Sequence, residues 1–168
     1  PDRLMRRALF GLLVALATLG PLGGCDPARV FEENRDLKDY VWPVDEKPTF
    51  AFAITDTAAR YTIYLNVRTS TSYRFHNLFT RLTLTGPGGE IIDRHLHELN
   101  VRDPQTGEPL GDGAGDIFDQ QVVALRGVRF RRPGTYRAEL VQYMRLGTLP
   151  DVMSVGIRVA REQRAAAQ

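Results

Sequence analysis

The sequence is short of the residues on which much protein chemistry depends. It carries one cysteine in 168 residues, which excludes an internal disulfide framework and any paired-cysteine zinc or redox motif. Serine is confined to Ser70, Ser72 and Ser154. None of these lies in the G-x-S-x-G elbow of a hydrolase, and no acid, histidine and nucleophile fall at a catalytic spacing. No glycine-rich loop opens a helix, so a phosphate-cradling nucleotide site has no support. Lysine occurs only at Lys38 and Lys47, leaving arginine to carry nearly all the positive charge. A surplus of one sign is also missing. The formal net charge is +2, and beyond residue 24 the chain holds 19 basic and 19 acidic side chains once Arg3, Arg6, Arg7 and Asp2 are set aside. A balanced body argues against a phosphate-binding surface and against nucleic acid as a partner, with Val128 to Arg132 the one basic cluster.

What is present begins at the amino terminus. Arg6 and Arg7 precede Ala8 to Leu19, a run that is apolar except for Gly11 and Thr18, and Leu22-Gly23-Gly24-Cys25 follows. This is the layout of a signal peptide over residues 1–24. The run is too short for a membrane span, which needs roughly 20 apolar residues. Leu-Gly-Gly-Cys resembles the bacterial lipobox, which makes Cys25 the expected lipid attachment site and the first residue of the processed chain. A secreted protein with a free cysteine and a retained membrane helix are the alternatives. Two or three acyl chains would give durable anchoring where one is marginal.

Residues 25–48 read as a lipidated tether that docks part-way through Val30, Phe31, Leu37 and Tyr40-Val41-Trp42. From Thr49 the period becomes two. Phe50, Phe52 and Ile54, then Tyr61, Ile63, Leu65 and Val67, alternate with smaller or polar residues, as half-buried strands do. Leu78, Leu82 and Leu84 continue the pattern to a Gly86-Pro87-Gly88-Gly89 turn, and Ile91 to Leu99 is a fourth strand. Asn100 to Asp119 is rich in Asp, Gly and Pro and predicts a long loop. Strands return over Val122 to Phe130, Tyr136 to Met144 and Val155 to Val159. The expected fold is therefore all-β, an antiparallel β-sandwich of immunoglobulin-like or jelly-roll type over residues 49–160, with a helical tail at 161–168.

Few constellations promise chemistry. His95 and His97 project from one face of a strand and, with Glu98 or Asp93, form a weak candidate metal site. Asp112, Asp116 and Asp119 lie on a glycine-rich loop and are weak candidates for calcium, although their order does not match an EF-hand loop. No catalytic residues, cofactor or metal are expected. Paired carboxylates converging from different strands are the residual hydrolase reading. Among Trp42, Tyr61, Tyr64, Tyr73, Phe75 and Tyr143, most rings are expected in the core. An exposed row of them beside a groove would indicate a surface glycan-binding module.

Several segments, taken together and in order, resemble the GldH gliding-motility lipoproteins of Bacteroidota. They are Val30 to Leu37 with Tyr40-Val41-Trp42, Ile54-Thr55-Asp56, Tyr64 to Arg68, Asn77-Leu78, Gly111 to Asp119, Pro133 to Tyr136, Gln142 to Arg145, Leu149-Pro150 and Val155-Gly156. The resemblance covers Cys25 to about Arg161. It implies a non-enzymatic lipoprotein held in the cell envelope, in the outer membrane, with protein partners in the gliding and type IX secretion machinery. Only Cys25 carries over with a role, as the lipid attachment site. Gln142-Tyr143 and Asp112 depart from the family's usual residues, which puts a fixed ligand for that loop in doubt.

Overall fold

The computed structural model describes residues 26–162. In chain order the strands are β1 (Arg29–Asp36), β2 (Val41–Pro43), β3 (Thr49–Ile54), β4 (Tyr61–Ser70), β5 (Asn77–Thr85), β6 (Ile91–Asn100), β7 (Asp112–Ala114), β8 (Ile117–Val128), β9 (Gly134–Gln142), β10 (Thr148–Pro150) and β11 (Val152–Arg161). A single 3-10 turn, Lys38–Tyr40, separates β1 from β2. One sheet has the order β1-β11-β4-β8-β7, the other β3-β9-β5-β6, and β10-β2 forms a separate ribbon. Every strand pair is antiparallel. The chain is an antiparallel β-sandwich, as its period-two pattern requires.

Alternation decides which face each strand buries. In β3, Phe50, Phe52 and Ile54 are buried while Thr49, Ala51 and Ala53 are exposed. Tyr61, Ile63, Leu65 and Val67 of β4 and Val155, Ile157 and Val159 of β11 meet them from the other sheet. Toward one end the core becomes aromatic. The Phe130 ring lies 4.4 Å from Tyr136 and 5.2 Å from Tyr61, centroid to centroid. Both hydroxyls remain satisfied, Tyr61 donating to the Asp56 carbonyl and Tyr136 to that of Arg132, each at 2.6 Å. Such bonds bury the ring and pin the loop it reaches back to.

The structure differs from the sequence reading at three places. The segment expected as a tether supplies β1, paired with β11 from Arg29↔Ala160 to Asp36↔Ser154, and β2. The expected loop 100–119 ends in a hairpin, since β7 pairs with β8 and β8 begins at Ile117. Arg161, expected to open a helical tail, is the last residue of β11. The signal segment, Cys25 and residues 163–168 lie outside the described residues.

Because the strands are antiparallel, the sandwich has two distinct ends. Arg29, Ala160, Tyr61 and Val128 line up at one end of the first sheet, and Ile54, Gly134 and Ile91 at the same end of the second. The β2-β10 ribbon stands at the other end, beyond Asp36 and Ser154.

Candidate functional site

The residues singled out in the sequence are dispersed. On β6, an edge strand, His95 Nδ1 lies 2.7 Å from Asp93 Oδ1 and is largely exposed. His97 is half-buried, and burial lowers its pKa against the opposing pull of Asp93. Among the described residues, no group of three or more His, Cys, Asp and Glu is placed to hold a metal. Asp112 and Asp119 face each other across the β7-β8 hairpin. Asp119 is engaged by Arg68 through two bonds of 2.7 and 2.9 Å, and Asp119 in turn raises the Arg68 pKa. Asp116 is turned toward Thr71, whose amide donates to the Asp116 carbonyl. One of the three carboxylates is thus spent on a fork of two charge-assisted bonds to Arg68. Asp119→Ala is expected to lower stability by less than about 1 kcal/mol, because the pair is exposed. Calcium and a chelator are expected to leave the melting curves of both proteins unchanged, and a calcium-dependent rise would refute this account.

Among the aromatics named from the sequence, Trp42, Tyr61 and Tyr73 are buried, and burial raises the Tyr73 pKa. Tyr64 and Phe75 are half-buried and Tyr143 is exposed. A lone exposed ring in this set is not the row that a glycan platform needs.

A different cluster emerges around the ribbon. Trp42 and Leu149, opposite each other in β2 and β10, are both fully buried, and the Trp42 indole donates to the Glu46 carbonyl at 3.0 Å. Their burial fixes the ribbon to the core while its flanks face outward. Tyr40 is 56% exposed, Tyr143 52%, Val44 46% and Leu146 38%. The Val44 amide donates to the Gly147 carbonyl at 3.0 Å, which brings Val44 beside the 143–147 loop. That loop is held from below by buried Gln142, which donates to the Leu146 carbonyl and accepts from the Met144 amide. The Arg81 guanidinium lies 5.4 Å from the Tyr143 ring centre and keeps it in place.

Backbone strain gathers here as well. Among the described residues, the non-glycine positions with positive φ are Asp39 (55°), Tyr40 (58°), Arg145 (59°) and Asp151 (65°). All four flank β2 or β10. A left-handed conformation costs a residue bearing a Cβ about 1 to 2 kcal/mol, and such residues collect where a surface is held ready for use. The flanks of the ribbon thus carry exposed apolar side chains on braced backbone. Sequence reading placed Tyr40 among the apolar anchors, since nothing in its spacing tells an inward from an outward ring. The non-glycine left-handed residues leave no signature in the sequence.

Comparison with known proteins places this architecture. The model of the GldH lipoprotein family matches residues 29–159, from the first strand through the last core residue of β11. The chain is 29% identical over 165 residues to the gliding motility lipoprotein GldH of Flavobacterium johnsoniae, covering 94% of this chain and 99% of that one. It is 27% identical over 162 residues to a protein of Christiangramia forsetii described as a gliding motility lipoprotein GldH homolog, covering 92% and 98%. Among solved structures, the T13 particle of IBDV superposes with a TM-score of 0.37 at 18% identity, covering 85% of this chain and 34% of that one. Dimeric latent PorU of Porphyromonas gingivalis gives 0.30 at 8% identity, covering 85% and 14%. Both scores fall below the level of a shared fold. The family match spans both sheets and the ribbon, and on that ground the chain belongs to the GldH lipoprotein family.

Proposed function

We propose that this chain is a non-enzymatic accessory of the gliding motility and type IX secretion apparatus, lipidated at Cys25 and anchored in the outer membrane. Its ribbon end engages protein partners. The observation that carries this reading is the group of Tyr40, Val44, Tyr143 and Leu146, exposed on strained and tightly braced backbone at the end opposite Asp26. Exposed aromatic and aliphatic side chains on a preorganised surface are the usual centre of a protein contact. Anchoring raises the effective concentration of that surface near its partners, so a modest contact suffices. The names of the relatives supply the process, gliding motility, in which the contact would serve.

Replacing Tyr40 and Leu146 together by Glu in the chromosomal gene tests the reading. Both side chains are exposed, so the protein is expected to accumulate normally. Recovery of crosslinked partners from intact cells is expected to fall about tenfold or more, and delivery of surface adhesins or spreading on agar to fail with it. Normal crosslinking and normal adhesin delivery in this variant would overturn the proposal.

A further inference from the structure

The overall balance of charge conceals a strong polarity. At the end from which β1 emerges, the segments 26–30, 55–60, 86–90, 126–133 and 161–162 hold seven arginines and four carboxylates. At the ribbon end, the segments 36–48, 71–76, 101–116 and 143–151 hold five Arg or Lys and nine carboxylates. Antiparallel pairing produces this separation by gathering every second connection at the same end. No composition count could reveal it.

Several of the arginines are unspent. Arg132 is paired with Glu90 at 2.6 Å, Arg158 with Asp26, and Arg161 lies 3.8 Å from Asp56. Among the described residues, Arg60, Arg126, Arg129 and Arg131 form no ion pair and all four are exposed. The nearby Glu162 is bonded by the Gly127 amide at 2.8 Å and by Thr62, contacts that lower its pKa, the amide most, with the charges of Arg60 and Arg126 adding a smaller pull from beyond ion-pair distance. The loops that carry these arginines are braced by the Tyr61 and Tyr136 hydroxyls. Arg129 lines two neighbouring depressions, of about 530 and 560 Å³, and Ile91 and Ile92 line the first of them. Ile91, Ile92 and Val30, all at this end, are 53%, 40% and 39% exposed. Guanidinium groups matched to phosphate, with aliphatic side chains between them, are the composition of a surface that rests on a lipid headgroup layer.

We propose that the arginine end, through Arg126, Arg129 and Arg131, binds the phosphates of anionic lipid headgroups in the membrane that holds the anchor. This inference rests on the lipidation reading for orientation. Cys25 is bonded to Asp26, and Asp26 is fixed to this end by its pair with Arg158 and by accepting from the Ala28 amide at 3.0 Å. Little slack separates the lipid from the sandwich. The domain lies down on its arginine end with the acidic ribbon end directed away, so the two surfaces serve different ligands.

The test is arginine footprinting with phenylglyoxal on the full processed chain. The protein is reconstituted in vesicles of phosphatidylcholine alone or mixed with phosphatidylglycerol, and modification is read site by site by mass spectrometry. In the anionic vesicles Arg126, Arg129 and Arg131 are expected to react about fivefold more slowly than in the neutral ones, with high salt abolishing the difference. Arg74 and Arg145, at the ribbon end, are expected to react equally in both. Equal reactivity of the three arginines in the two vesicle types overturns the proposal, and so does uniform protection of arginines at both ends. The same spectra report the mass of the Cys25 peptide. A lipidated Cys25 without protection removes the headgroup site alone, whereas an unmodified Cys25 with protection removes the anchor and keeps the site.

Discussion

Gly156→Ala is expected to lower the melting temperature by about 10 °C, through a loss of about 2 to 3 kcal/mol. Gly156 lies in β11 between β1 and β4, opposite Asn34 on one side and Asn66 on the other. A Cβ at this position overlaps the Asn34 side-chain oxygen and the Glu33 carbonyl, and stands 2.8 Å from the Asn34 Cα. Two of those obstacles are backbone, which cannot rotate away. An ordinary Gly→Ala change gains about 0.4 to 1 kcal/mol by restricting the unfolded chain, so steric overlap wins. The space is used by a ladder of amides: Asn66 donates to Glu32 and Asn34 at 3.1 and 3.0 Å, and Gln121 donates to Asn66 at 2.9 Å. Removing the overlapping side chain in Gly156→Ala/Asn34→Ala is expected to recover only part of the loss, since the Glu33 carbonyl remains. Thermal unfolding of the two variants decides the matter; a Gly156→Ala protein as stable as the parent would show that β1 yields without penalty.

The same ladder marks the limit of what the sequence made legible. Strands whose inner face is almost wholly apolar, such as β3 and β4, were readable because burial selects every second residue. In β1 the inner positions after Phe31 are Glu33 and Arg35, so no alternation appears. The structure closes that edge with a cation. Arg35 lies 5.6 Å from the centre of the Phe50 ring and donates to the Thr49 carbonyl. A guanidinium covering an aromatic face does the work of an apolar side chain, yet reads as loop in a pattern of polar and apolar letters. The hairpin of β7 and β8 was hidden differently. Gly113 stands inside the paired region, and Gly115, at φ 63°, lies in the two-residue turn between Ala114 and Ile117, so the short strand reads as part of a glycine-rich loop. Spatial neighbours at the candidate sites were less legible than the fold. Asp119 faces Arg68 across β4 and β8 and the arginines of residues 60, 126 and 129 share one end, relations set by strand register that neighbours in sequence do not express.

Trp42→Ala is expected to cost about 3 to 5 kcal/mol, a large share of the roughly 5 to 15 kcal/mol that holds a domain of this kind together. The ribbon explains why so much depends on one ring. Its two strands share three residue pairs, Thr148↔Pro43, Leu149↔Trp42 and Pro150↔Val41, and an isolated pair of strands is marginal at best in water. Burial of Trp42 and Leu149 against the sandwich must therefore supply the stability that the ladder lacks. Trp42→Phe separates the two contributions of the side chain. It keeps most of the buried ring and loses the bond to the Glu46 carbonyl, which is worth about 1 kcal/mol, together with some packing. Tyr40→Ala, at an exposed position, is expected to leave stability nearly unchanged. Hydrogen exchange at the Val44 amide, which donates to the Gly147 carbonyl, reports directly on the ribbon. In Trp42→Ala its protection is expected to vanish, and the surface formed by Val44, Tyr143 and Leu146 to lose its order, whereas Trp42→Phe retains both. If that amide stays protected in Trp42→Ala, the ribbon is held by something other than its buried pair, and the contact surface does not depend on the core for its shape.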